Sequence, residues 1–227
     1  MGAGRSELAM TVFGIVRPLG GEIVIDGKSV RVNSPRDAIA HGIYLVPEDR
    51  RRNGLITSMA LRENVTLPDL WRYANFGVIS YGSELRTAEE QRKKLSIKTA
   101  SCETLAKNLS GGNQQKLVLA KWLSLNPKLI IFDEPTRGVD VGSKAEIYRL
   151  MRNLADSGVF ILMISSDMEE VLGVSDRIAV MREGALMGVL EAQDFSEEAV
   201  MRLAVARVVS KENLPTSAHP TPTEIRT

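Results

Sequence analysis

Three short segments carry residue types that can bind and activate an anionic substrate. The first, Leu129-Ile130-Ile131-Phe132-Asp133-Glu134, is a wholly apolar run ending in two carboxylates. A run of that kind suits a strand buried on both faces, and open α/β sheets bind ligands at the carboxyl ends of their strands. In that setting Asp133 suits a hydrated Mg²⁺ and Glu134 suits a general base acting on an attacking water. The hexapeptide alone fits the opening of a solvated loop equally well. The second segment, Leu109-Ser110-Gly111-Gly112-Asn113-Gln114-Gln115, places a hydroxyl and two glycines where a helix begins. First-turn N–H groups have no partner inside the helix, glycines let the backbone approach an oxyanion, and the helix dipole favours negative charge. Ser-Gly-Gly by itself is more often an ordinary N-cap; paired acids further along the chain strengthen the anion-site reading. The third, Gly2-Ala3-Gly4-Arg5-Ser6, is a glycine loop directly ahead of a helical pattern.

The elements that would position these residues follow from periodicity. A helix is expected from Ser6, with Leu8, Val12, Phe13 and Val16 on one face. Two short β-type runs flank Asp26-Gly27, a strong hairpin signal. Ser34-Pro35 caps a short helix that Gly42 ends, and the strand 43–46 follows, leading into a charged loop at 48–53. Between 58 and 107 the texture changes to charged helical segments, notably 84–98, with Trp71, Tyr73, Phe76 and Tyr81 among them. This reads as an inserted helical subdomain. From Asn113 onward helices (to 125, 144–155, 168–172) alternate with strands (129–132, 159–164, 178–181), the pattern of a parallel sheet covered by helices. A turn at Glu183-Gly184, a last strand 185–190 and a closing helix 196–205 complete the order, and the Pro, Thr and Ser content beyond Lys211 predicts a disordered tail.

Composition narrows the possibilities. The chain has 227 residues, 44% of them hydrophobic, enough for a sizeable core. Lys plus Arg number 29 against 28 Asp plus Glu, a net charge of +1 that disfavours a protein whose main work is gripping nucleic acid. With Cys102 as its single cysteine the sequence cannot form an internal disulfide or a multi-cysteine zinc cage, so oxygen ligands are expected for any metal. His41 and His219 have no partners at ligand spacing. No apolar run approaches the roughly 20 residues of a membrane-spanning helix. Trp122 is expected in the core with Leu119 and Leu123, and Met151, Met163 and Met168 as fillers of apolar contacts.

Read together, Leu109 to Gln115, Leu129 to Thr136 and Arg137-Gly138-Val139-Asp140 resemble the signature motif, Walker B and D-loop of ABC-type ATPases, in that order and spacing. The wording of Pro47-Glu48-Asp49-Arg50, LSGGNQQK, DEPTRGVDVG and Ser165-Ser166-Asp167 is similar to the second nucleotide-binding domain of fused ATPases that power bacterial monosaccharide importers. The likeness extends to about Arg207. It implies a P-loop NTPase-type parallel sheet with a β-hairpin region and an inserted helical subdomain at about 56–126, all within a domain 1–207, and a tail 208–227. It implies ATP and Mg²⁺ as ligands, nucleotide binding by Gly2, Ala3, Gly4, Arg5, Ser6, Glu48, Asp133 and Ser166, and metal binding by Ser6 and Asp133. Glu134 would be the catalytic base. Leu109, Ser110, Gly111, Gly112 and Asn113 would complete a partner's nucleotide site, with Asp140 in the D-loop. The implied partners are a second ATPase domain, transmembrane permease subunits and, indirectly, a sugar-binding protein, at the cytoplasmic face of the membrane.

Under the same resemblance Gly2 to Ser6 is the back half of a Walker A loop, so a strand ahead of it is expected and an amino-terminal truncation is inferred. Three positions depart from the general pattern: Arg5 stands for the phosphate-binding lysine, Glu48 for the Q-loop amide, and Ser166 for the switch histidine. Arginine keeps the charge but replaces a compact ammonium by a planar fork. These departures predict slow hydrolysis at this domain's own site, with the signature helix supporting the partner's. Two rivals compete: a non-catalytic module that only lends its signature helix, and a soluble ABC protein acting on ribosomes or DNA. The second predicts a basic arm or long coiled-coil insertion, and the sequence has neither.

Overall fold

The computed structural model describes residues 2–205. Gly4, with φ 90, turns the chain into α1 (Arg5–Val12), which ends early because Gly14 takes a left-handed backbone (φ 78). Ala9 and Phe13 are buried there, whereas Leu8 and Val16, expected on the apolar face, are exposed. Val16 lies beyond the helix, so the 3.6-residue period no longer applies to it. β1 (Ile23–Ile25) and β2 (Lys28–Val30) form the antiparallel hairpin about Asp26-Gly27. Ser34 caps α2 (Pro35–Ala40) by accepting from the Asp37 amide, and β3 (Ile43–Val46) is buried along its whole length.

The helical subdomain contains α3 (Leu61–Thr66), a 3₁₀ segment (Leu67–Tyr73), the two-residue strands β4 (Ala74–Asn75) and β5 (Val78–Ile79), and α4 (Tyr81–Lys94). The β4–β5 hairpin departs from the purely helical expectation. α4 starts earlier than the charged pattern suggests because Ser80 caps it, and the chain leaves helical geometry at Ser96, φ 49. A 3₁₀ turn (Ala106–Asn108) leads to α5 (Gly111–Leu123), capped by Ser110.

The sheet that carries the acids is parallel, in the order β3, β6 (Leu129–Asp133), β7 (Phe160–Ile164). Its register aligns Val46 with Phe132 and Asp133 with Ile164, so the segments that start at Pro47, Glu134 and Ser165 leave the same edge side by side. α6 (Val141–Asp156) connects β6 to β7, and α7 (Met168–Val174) leads from β7 to the separate antiparallel pair β8 (Arg177–Arg182) and β9 (Ala185–Glu191), which α8 (Glu197–Val205) follows. The expected α/β architecture of parallel sheet, hairpin region and helical insert is thus present. Trp122 of α5 stands at the centre of the core. Its ring stacks on Tyr44 at 5.1 Å, meets Phe13 edge-on at 6.1 Å, and its Nε1–H donates to the Leu45 carbonyl at 2.8 Å. That hydrogen bond satisfies the one polar group the indole brings inside. The expected tail at 208–227 lies outside the described residues.

Candidate functional site

The carboxyl edge of the parallel sheet gathers the residues at which α1, β6 and β7 meet. Asp133, the last residue of β6, is buried, and its Oδ1 accepts from Ser6 Oγ at 3.2 Å. Burial raises the Asp133 pKa, the Ser6 hydrogen bond pulls it back, Glu134 raises it further, and Arg5 lowers it. Glu134 follows on a left-handed backbone (φ 49) that its amide, donating to the Ile164 carbonyl at 2.8 Å, holds in place. A non-glycine residue in that region is strained, and such residues collect at functional sites. The Glu134 carboxylate accepts from Ser166 Oγ at 3.1 Å, and Arg5 Nη1 donates to the Ser165 carbonyl at 2.6 Å. Five of the expected residues, Arg5, Ser6, Asp133, Glu134 and Ser166, therefore share one connected cluster.

The glycine loop joins this cluster from below. The Ala3 carbonyl accepts from the Gly184 amide at 3.1 Å, and a Cβ on Gly4 would lie 2.8 Å from the Gly184 Cα. Gly4 thus needs to be glycine twice over, for its backbone angle and for the approach of the β8–β9 turn. Gly2 is exposed and opens to free space.

The remaining candidates lie in a second group. Ser110 accepts from the Asn113 amide and from Asn113 Nδ2 at 2.9 Å, while Asn113 Oδ1 accepts from the Lys98 amide. Leu109 is buried, and Gly111 and Gly112 lie against the side chains of Arg50 and Ser143. Asp140 caps α6, accepting from the Ser143 amide at 3.0 Å and from Ser143 Oγ at 2.8 Å. Glu48 pairs with Arg137, so its carboxylate is engaged by the loop after β6 and not by Asp133 or Ser6. Sequence reasoning misses Arg50, whose guanidinium reaches the carbonyls of Arg137 and Gly138, and Glu170, buried and accepting from Ser165 Oγ. Arg50 stands in a quoted motif, but nothing in its spacing shows what it touches.

Residues 1–137 match the family model described as ABC transporter. The chain belongs to that family. Among its relatives, the ribose import ATP-binding protein RbsA of Halalkalibacterium halodurans is 51% identical over 204 residues, 90% of this chain and 41% of that protein. The xylose import ATP-binding protein XylG of Thermoanaerobacter pseudethanolicus is 48% identical over 205 residues, with the same shares. The chain thus spans 41% of the length of these ABC transporter relatives. The fold also matches solved cassettes. The dimeric post-hydrolysis state of the ATP-binding cassette MJ0796 bound to ADP and Pi superposes with a TM-score of 0.70 at 24% identity, covering 85% of this chain and 82% of that one. The ATP-binding cassette MJ1267 superposes with a TM-score of 0.74 at 20% identity, covering 88% and 83%.

Proposed function

We propose that this chain is the carboxyl-terminal nucleotide-binding domain of an ABC importer that drives monosaccharide uptake with ATP. The observation that carries the reading is the cluster Ser6–Asp133–Glu134–Ser166 at the mouth of a glycine loop. Ser6 Oγ and Asp133 Oδ1, 3.2 Å apart, are hard oxygen donors of the kind Mg²⁺ takes while keeping its other positions for water and phosphate. When bound, the ion neutralises charge on the phosphate oxygens. The glycine loop presents amides to the phosphates, Arg5 supplies positive charge, and Glu134 takes the proton of the attacking water at its carboxylate. Ser166 fixes that carboxylate through a short hydroxyl, where a larger donor would also reach the phosphate. That difference, with Arg5 committed to the Ser165 carbonyl, supports a slow site of its own.

In this reading two domains pair head to tail, so the tip of α5, residues Leu109 to Asn113, completes the partner's site. Exposed Trp71, Phe76 and Val78 on the helical subdomain supply apolar surface for permease subunits, and the sugar-binding protein acts only through those subunits. Among the described residues no helix is long and apolar enough to cross a membrane; in this reading the domain reaches the membrane's cytoplasmic face through the permease subunits. The test uses the full-length protein with its membrane subunits and the other ATPase site disabled. Glu134→Gln is expected to keep nucleotide binding and to lower the residual ATP turnover by at least tenfold. Absence of adenine-nucleotide binding in the parent assembly, or turnover indifferent to Glu134→Gln, would overturn the reading.

A further inference from the structure

Three segments that would otherwise be independent meet at one guanidinium. Beyond β3 the chain passes through Pro47 and Glu48 to Asp49, whose side chain accepts from the amides of Arg51 at 3.1 Å and Arg52 at 3.0 Å. This cap winds Arg50–Gly54 into a single π-type turn, a form concentrated at functional sites, and fixes the direction in which Arg50 leaves the backbone. Arg50 Nη1 donates to the Arg137 carbonyl at 3.0 Å and Nη2 to the Gly138 carbonyl at 3.2 Å. Two successive carbonyls on one turn suit a planar fork and do not suit a point charge. In the opposite direction the Arg137 side chain pairs with Glu48, so the two segments are crossed twice.

The third side is the tip of α5. A Cβ on Gly111 would lie 2.8 Å from Arg50 Nη2 and 3.3 Å from the Gly138 carbonyl oxygen, so the helix tip rests against both. The next residue, Arg51, donates from Nε to Gln114 Oε1 at 3.1 Å in the first turn of the same helix. Arg50 Nε is buried with no hydrogen-bond partner, so the group gives up part of its hydration to hold this position. A cation beside the positive end of a helix does not stabilise that helix. The arrangement therefore calls for a reason other than helix stability.

We propose that Arg50 is a positioning residue that ties the loop bearing Glu134 to the tip of α5, so that this domain's own nucleotide site and the one it completes in its partner are set together. The inference rests on the head-to-tail reading given above. An anion arriving at the α5 tip attracts the same guanidinium that holds the carbonyls of Arg137 and Gly138. Occupancy at the partner's site thereby bears on the turn that begins at Glu134. By reciprocity, occupancy at this domain's site bears on the α5 tip.

The experiment compares Arg50→Met and Arg50→Lys with the parent in the full-length protein and its membrane subunits. ATP turnover and hydrogen exchange are both measured. Arg50→Met is expected to lower kcat roughly tenfold while KM stays within about twofold. Amide exchange is expected to quicken together in residues 110–113 and 136–140, with the rest of the domain unchanged. Arg50→Lys, which keeps the charge and loses the fork, is expected to recover less than half of the lost kcat. Quickened exchange in only one of the two segments, or in neither, would overturn the proposal, as would full recovery by lysine. If the parent binds no adenine nucleotide, the functional reading fails; the exchange pattern then still decides whether Arg50 joins the two segments.

Discussion

Ser166 and Glu134 meet through a single hydroxyl at 3.1 Å, so the orientation of the carboxylate depends on a donor that reaches one oxygen from one side. Asp133 next to it is buried and Glu134 is strained, and neither condition improves the stability of the fold; both suit a site that holds a cation and a water. Lys121 on α5 shows the same tension away from the site. Its ammonium donates to the Gly54 carbonyl at 2.6 Å and lies 4.4 Å from the Trp122 ring centre, and among the described residues no carboxylate is paired with it. Burial pushes its pKa down to about 8, so between about 8 and 10.5 the folded chain holds fewer protons than the unfolded one. Stability from this group is complete above the unfolded value and is lost as the pH falls through the folded one. Relative to Lys121→Met, the parent is therefore expected to gain on the order of 1–2 kcal/mol between pH 8 and pH 10.5. The carbonyl and the ring face favour the charged form and keep the gain below what desolvation alone would give. Urea unfolding of both proteins across that range measures it, and parallel pH profiles would show that Lys121 is not desolvated.

At the scale of elements, the helical subdomain is held by a charged centre as much as by apolar packing. Arg62 of α3 bridges Glu84 of α4 and Glu103, with Tyr81 stacked 4.7 Å from its guanidinium, and Glu84 also accepts from Thr66. Glu84 is only 4% exposed, so removing Arg62 leaves a buried carboxylate facing one hydroxyl. Arg62→Ala is expected to cost about 3–5 kcal/mol, and the paired exchange Arg62→Met with Glu84→Leu to recover most of it. Denaturant unfolding of the single and double variants checks both; a single-variant loss below about 1 kcal/mol would mean that water reaches Glu84. This centre is not legible in the sequence, where 84–98 reads as a solvated helix, because helical periodicity places charges on a face without saying what opposes it. The β4–β5 hairpin is hidden for a similar reason: its strands have two residues each, and Phe76 enters the left-handed turn without being glycine. By contrast the hairpin at Asp26-Gly27 and the strand 129–132 are legible, since a turn pair and an apolar run each carry their own local cause. The acids at 133 and 134 are placed correctly by that run. Their contacts with Ser6 and Ser166 span 127 and 32 residues and follow only from strand order, which no local pattern contains.

At the scale of the whole molecule, β3 and β7 are the edge strands of the parallel sheet, and an open groove runs beside β7. β7 pairs with β6 on one side; its other side and β8 bound a groove of about 820 Å³ lined by Ile161, Leu162 and Met163 facing Ile178 and Val180. Parallel sheets are normally covered on both faces and paired within, and an apolar edge left free invites association with other chains. Arg5 lines the groove and donates to the Ser165 carbonyl just past the end of β7, so the glycine loop stands at its carboxyl end. An extended apolar segment joined ahead of Gly2 and running parallel to β7 would pass along the groove and enter the loop from the direction a phosphate loop requires. Each aliphatic side chain it brought in would contribute about 1.5–3 kcal/mol. A variant of this chain with a designed extended apolar segment joined ahead of Gly2 is therefore expected to unfold at higher urea concentration than residues 1–227, with a steeper transition, because more surface is exposed on unfolding. Amides of residues 161–164 should exchange more slowly in the longer chain. An unchanged midpoint and slope, with those amides exchanging as before, would mean that the groove is filled by something other than a strand. The two acids of the site would then rest on a three-stranded sheet alone.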